Sequence, residues 1–267
     1  MENVAESQNQ ENQNVRLDNT VTSREKYKQY QWKTITSGTL VEVYQFEVPL
    51  MIGRKPFKSA NSIGEIRDDE YKKRSATKAV STIRRLIHAN FEKYAKFISL
   101  TFKNTEKFNI QSLTECNDRK VTFLAKLRSI NHKVKYICVP EYQDRGAVHY
   151  HVICNLPYLE KKVLKKLWPY GFSDIRAIDE VSRQAHYVAK YVQKNRLDPR
   201  FDGRRTYVTS TNLLRPVINY GNKAKAEINK IAPYRPDPIR QGRFETARNG
   251  VVLFAQFVVP ELKRRHK

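Results

Sequence analysis

Three cysteines in 267 residues, Cys116, Cys138 and Cys154, are too far apart and odd in number for a disulfide framework or a paired-cysteine zinc site. That usage fits a reducing compartment. Long apolar runs are missing as well. No stretch approaches the roughly 18 apolar residues of a membrane span, and the first residues are rich in Asn, Gln and Glu instead of a basic segment followed by an apolar one. The expectation is a cytoplasmic protein without a membrane partner. No Gly-x-x-x-x-Gly-Lys-Ser/Thr stretch occurs, so no phosphate-loop helicase is expected in the chain and unwinding falls to a partner. Acidic residues are the last scarcity, 27 Asp and Glu against 50 Lys and Arg, for a formal charge of +23. A surface with that field attracts polyanions, phosphate backbones above all. An anionic membrane surface or an RNA scaffold shares the same charge balance.

What is present divides into four stretches. Residues 1-22 are polar and poor in large apolar side chains, which offers too little burial to offset the entropy of ordering, so a disordered tail is expected. Over 23-93 the β-branched and aromatic run Thr39 to Phe46 reads as a strand, and Ile83, Leu86 and Ile87 recur at helical spacing, giving a strand-helix extension. The densest order lies in 94-213, expected as the core. Phe97 to Phe102 reads as a strand, Asn117 to Ile130 as a helix, and Val134 to Tyr142 with Ala147 to Leu156 as a hairpin turning at Asp144-Arg145-Gly146. A helix over Leu159 to Trp168, a strand over Phe172 to Ile178 and a helix over Glu180 to Lys194 follow. This order predicts an α+β fold, an antiparallel five-stranded sheet with helices packed on one face. Residues 214-267 read as a basic C-terminal extension, with Val251 to Val259 apolar enough for a strand. The basic clusters Lys72-Lys73-Arg74, Arg204-Arg205 and Lys263-Arg264-Arg265 read equally as grips on DNA or as solvated surface.

Two clusters carry chemistry. In Ala147 to Cys154 the residues Val148, Tyr150, Val152 and Cys154 form the apolar face of a strand, so His149 and His151 share the other. Two imidazoles at i, i+2 can present nitrogens to one divalent cation. If the hairpin turn is centred near Arg145, Glu141 falls directly across from His149. One carboxylate and two imidazoles suit manganese, magnesium or zinc and leave coordination positions for a phosphate oxygen. An isolated His-x-His is more often a polar solvent face; the facing carboxylate is what tilts the reading toward a metal. In the following helix Val181, Ala185, Val188 and Val192 form an apolar stripe, and the adjoining face carries Arg183, Tyr187, Lys190, Tyr191 and Lys194. A phenol beside cations becomes a better nucleophile, although tyrosines at this spacing also commonly widen a packing stripe.

Taken together, Phe97 to Phe102, Glu141 with Val148-His149-Tyr150-His151, and Tyr187 to Lys194 resemble, in order, the three motifs of HUH endonucleases, specifically the replication initiators of rolling-circle plasmids and small single-stranded DNA phages. The resemblance covers roughly residues 94-195. It implies a five-stranded antiparallel sheet, a divalent metal, Mg2+ or Mn2+, held by His149 and His151 with Glu141 third, and a tyrosine that attacks the origin strand. The break leaves a 5′ phosphate on tyrosine and a 3′ hydroxyl that primes synthesis, with single-stranded origin DNA, a host helicase and a host polymerase as partners. Lys190 follows Tyr187 at the Tyr-x-x-Lys interval of the third motif. Tyr191 and Lys194 repeat the interval, as in the two-tyrosine phage type, and Tyr187 ranks slightly ahead. A conjugative relaxase, which uses a third histidine and an N-terminal tyrosine, is an alternative, as is a non-catalytic protein that binds single-stranded nucleic acid.

Overall fold

Alternation of apolar and polar residues builds two sheets in this chain, and helical periodicity builds the cover. The computed structural model describes residues 28-53, 64-105, 108-157, 159-234 and 236-259; the tail at 1-22 and the Lys263-Arg264-Arg265 cluster lie outside the described residues. In chain order the elements are β1 (Lys28–Ser37), β2 (Leu40–Ile52), α1 (Gly64–Asn90), β3 (Lys96–Thr101), α2 (Leu113–Ile130), β4 (Tyr136–Tyr142), β5 (Val148–Cys154), α3 (Lys161–Leu167), β6 (Ser173–Ala177) and α4 (Val181–Leu197). Then come β7 (Val208–Thr209), β8 (Val217–Tyr220), α5 (Gly221–Ile231), β9 (Arg240–Thr246) and β10 (Gly250–Val258). No helix among the described residues is long and apolar enough to cross a membrane.

The core sheet is five-stranded in the order β6-β3-β5-β4-β7, with every pairing antiparallel. This is the α+β arrangement the sequence predicts. Its helices, however, lie on both faces and not on one. Ile98, Leu100, Cys138, Tyr150 and Val152 pack beneath Phe123, Leu124 and Leu127 of α2 and Leu164 of α3. Phe97, Ile137, Val139 and Ile153, of opposite parity, pack against Ile83, Leu86 and Ile87 of α1 and Val188 and Val192 of α4. The reason is visible in β4, where six of seven residues are buried. A strand covered on both sides is apolar throughout and loses the clean alternation that marks a one-sided sheet.

The segments flanking the core, expected as separate extensions, meet in a second antiparallel sheet of order β8-β1-β2-β10-β9. Helix α1 ties the two sheets together, since Arg85 on α1 forks onto both carboxylate oxygens of Glu42 on β2. The Glu42 side chain is 4% exposed and also accepts from Gln256 Nε2 of β10 at 2.8 Å and from the Tyr44 hydroxyl at 3.3 Å. Burial and the adjacent carboxylate push the Tyr44 phenol up to about 12. Removing one member of a buried, hydrogen-bonded pair leaves the other charge uncompensated. Glu42→Ala should therefore cost about 3–5 kcal/mol in urea unfolding; a loss below about 1 kcal/mol would place the pair with ordinary surface ion pairs.

Candidate active site

The β4–β5 hairpin fixes the first half of the site. Gly146 takes a φ of 81°, a conformation that residues carrying a Cβ disfavour, and the turn is closed by Gly146 N donating to Gln143 O at 2.8 Å and Gln143 N donating to Ala147 O at 2.9 Å. That turn sets Glu141 opposite His149 and Val139 opposite His151. On the other side of β5, β3 pairs Thr101 with His149 and Ser99 with His151. Directly opposed residues project from the same face, so the carboxylate and both imidazoles stand together as the spacing predicts.

Helix α4 supplies the second half. Its stripe of Ala185, Val188 and Val192 is buried against the sheet, which turns Tyr187 and Tyr191 toward the histidines. The Tyr191 ring lies 4.2 Å from the His151 ring, centroid to centroid, and is inclined to it by only 24°. Tyr187 meets the same imidazole at 6.2 Å, edge to face, and the two histidine rings are 4.6 Å apart. The Tyr191 hydroxyl donates to the Tyr187 hydroxyl at 2.5 Å. Tyr187 keeps 38% of its surface exposed, whereas Tyr191 is partly buried.

Charges at the site are coupled. His151 Nε2–H donates to Glu141 Oε2 at 2.9 Å, and Lys194 Nζ donates to Glu141 Oε1 at 3.4 Å. Burial acts to raise the Glu141 carboxyl, but the bond and charge of His151 and the charge of Lys194 outweigh it and hold the pKa below the usual carboxylate value. His149 is pushed down to about 4, by burial first and then by His151, with Arg145 adding to the effect and Glu141 opposing it. The Tyr191 phenol is raised by burial, by its bond to Tyr187 and by the Glu141 charge, with Arg176 acting in the other direction. Lys190, expected to act beside Tyr187, is exposed and forms no ion pair among the described residues; Lys194, one turn further, is the lysine that reaches Glu141.

Both ring nitrogens of His149 and Nδ1 of His151 are buried without a hydrogen-bond partner among the described residues. Orphaned polar atoms of this kind are uncommon and call for a partner. Among the described residues no group of three or more His, Cys, Asp or Glu side chains stands in a ready metal-binding array. The physical reason is local: Glu141 and His151 meet each other directly, so a proton bridges the two groups.

Three contributors escaped the sequence reading in part or whole. Phe97 stacks on His151 at 5.4 Å and meets Tyr187 edge-on at 5.8 Å; its odd parity with Ser99 and Thr101 on β3 was a readable signal once the strand was identified. Arg176 of β6 lies over the Phe97 ring at 4.9 Å, a placement that depends on strand order and had no local signal. Asn195 donates to Pro140 O at 2.6 Å, fastening α4 to β4 beside Glu141. It sits three residues after Val192, so a polar residue continuing an apolar stripe was its mark.

A five-stranded antiparallel sheet carrying this arrangement is consistent with the HUH-type fold of replication initiators. Residues 95–196, from the start of the core sheet to the last turn of α4, match the family of replication-associated proteins of the ORF2 type. No curated protein and no solved structure matches the chain. The family similarity supports a role in replication as an initiator, and with it an interaction with DNA.

The neutral, buried His149 generates a pH dependence. Its folded pKa of about 4 lies below the ordinary 6.5, so between those values the unfolded chain binds the extra proton. Stability contributed by this group is complete above pH 6.5 and is lost as the pH falls toward 4. Urea midpoints measured across that window should fall less steeply for His149→Gln than for the parent; parallel curves would contradict the shift.

Proposed function

We propose that the chain is an endonuclease of the HUH type that nicks and rejoins single-stranded DNA at a rolling-circle origin through a phosphotyrosine intermediate. The observation that carries this is the convergence of two strand-borne imidazoles, a facing carboxylate and two helix-borne phenols at one end of the core sheet. The motif resemblance and the replication-associated match over 95–196 support it.

The donor set fits a divalent cation, because the unpartnered nitrogens of His149 and His151 adjoin Glu141; His149, His151 and Glu141 would hold Mg2+ or Mn2+ once the Glu141–His151 bond opens. Such an ion supplies Lewis-acid stabilisation of charge on a phosphoryl oxygen. His149, neutral at physiological pH, is free to act as a ligand without losing a proton. Lys194 orients Glu141 from its second oxygen, as outer partners of ligating groups do.

Tyr187 is the first nucleophile in this reading. Its hydroxyl is open to solvent, where its proton leaves, and the Tyr191 hydroxyl donates to its oxygen. The Tyr187 oxygen attacks phosphorus, the bond to the 3′ oxygen breaks, the 3′ oxygen takes up a proton, and the 5′ phosphate remains on tyrosine. The free 3′ hydroxyl primes a host polymerase behind a host helicase. With the two hydroxyls in hydrogen-bond contact, a strand held on one tyrosine is within reach of exchange by the other, the arrangement expected of the two-tyrosine type.

The test uses labelled single-stranded oligonucleotides tiled across the DNA flanking the coding sequence, incubated with protein and Mn2+. A covalent protein–DNA adduct that survives denaturing electrophoresis is expected, lost with EDTA and lost in His149→Ala. Tyr187→Phe should reduce it more than Tyr191→Phe, and the double variant should form none. Absence of an adduct with every oligonucleotide would leave the non-catalytic binding reading standing. Separately, Lys194→Met should weaken metal activation about 10–100-fold, read as a shift in the Mn2+ concentration giving half-maximal adduct; Lys190→Met should shift it less.

A further inference from the structure

On the face of the core sheet turned away from the histidines, Cys138 and Pro140 of β4 line a cavity of about 370 Å³ between α2 and the Arg204 to Val208 segment. Its charged lining is of one sign: Lys120, Arg204 and Arg205, with Asn117 between them and no Asp or Glu. Arg204-Arg205 is also one of the basic clusters that the nicking chemistry leaves unexplained.

Lys120 is the unusual member, since it is only 8% exposed. Its ammonium has three N–H donors, and one is used, toward Asn117 Oδ1 at 2.7 Å, an oxygen that also accepts from the Tyr150 hydroxyl at 3.0 Å. Among the described residues no carboxylate pairs with it. Burial lowers its pKa; Arg205 lowers it further by like charge, while Cys138 and Asp118 oppose. The Cys138 thiol is itself pushed up to about 12 by burial, so it is neutral near pH 7 and supplies no countercharge. Buried ammonium groups are costly unless paired, and an apolar residue of similar length would fill this place without that cost. Three cations converging on a cavity without an acid describe a site whose missing component is an anion.

We propose that this cavity binds the phosphate of a nucleotide, with Lys120 at its base and Arg204 and Arg205 around it. A phosphate accepts several charge-assisted hydrogen bonds at once, and arginine forks match it. The volume lies in the range of small-molecule sites and exceeds what the phosphate group itself occupies. The apolar walls from Leu113 and Val208, with the ring of Tyr207, suit a sugar and base. The source is either a free nucleotide or a phosphate of the bound DNA strand. Because the cavity opens on the opposite face of β4 from Glu141, the site stands independently of the nicking reading.

Isothermal titration of the full chain with inorganic phosphate, with dATP and with a 5′-phosphorylated single-stranded oligonucleotide tests this, each in the parent, Lys120→Met and Arg205→Gln. Nucleotide binding should weaken about tenfold or more in both variants. Lys120→Met, which removes the buried charge at similar length, should unfold at a urea concentration no lower than the parent's. Lys120-dependent binding of dATP identifies a free nucleotide as the ligand; the same dependence confined to the oligonucleotide identifies a strand phosphate. Should Lys120→Met fail to fold, Arg205→Gln carries the test alone. The proposal is overturned if no folded variant loses affinity for either nucleotide probe, or if inorganic phosphate is the one probe that binds.

Discussion

The register of the β4–β5 hairpin is the constraint on which the rest of the site depends. Strand side chains alternate faces, so a slip of one residue would carry His149 and His151 into the packed layer beneath α2 and bring Val148 and Tyr150 out. The turn at Asp144 to Gly146 prevents that slip, because the left-handed conformation at Gly146 fixes which residues face each other. The same strand does two things at once. Ile137, Val139 and Glu141 lie at i, i+2 and i+4 on one face; the first two seat α4 and the third meets His151 and Lys194. The carboxylate and the tyrosine helix are therefore positioned by a common element, and Asn195 bonding to Pro140 O locks that relationship from the helix side.

Around this hairpin the packing is layered. Helix α1 lies against α4 and presses it onto the sheet through Ile83, Leu86 and Ile87, while Arg85 on the same helix is clamped by Glu42 of the second sheet. That second sheet joins strands from both flanks of the core, β1 and β2 with β8, β9 and β10. A chain of contacts thus runs from Gln256 through Glu42, Arg85 and α1 to the tyrosines. Such support matters to a site whose working distances are a few ångströms, because catalytic groups act only when their geometry is held by what surrounds them.

The electrostatic arrangement follows from a surplus of cations. With a formal charge of +23, most carboxylates are matched more than once, and Glu141 illustrates it by accepting from His151 on one oxygen and Lys194 on the other. The two faces of β4 then differ in kind. The histidine face carries a carboxylate and imidazoles, and the opposite face carries the buried Lys120 with Arg204 and Arg205 and no acid at all. A single strand separates the two, with Pro140 turned toward one and Glu141 toward the other.

Much of this was legible along the chain. Period-two alternation in Val148 to Cys154, the turn chemistry of Asp144-Arg145-Gly146 and the helical stripe Ala185, Val188 and Val192 are local properties, and local properties suffice to pair Glu141 with His149 and to put both tyrosines on one helix face. The helices on both faces of the sheet were not legible, because a doubly buried strand such as β4 shows no alternation to read. Nor was the joining of the chain's two flanks in one sheet, or the role of Arg176, since strand partners far apart in sequence leave no local trace. The choice between Lys190 and Lys194 is of the same type: identical spacing from Tyr187 and Tyr191 makes them equivalent on paper, and only the angle at which α4 crosses β4 brings Lys194, and not Lys190, to the carboxylate. Periodicity and turn residues decide which side chains share a face; the packing of elements distant in sequence decides which of those faces meet.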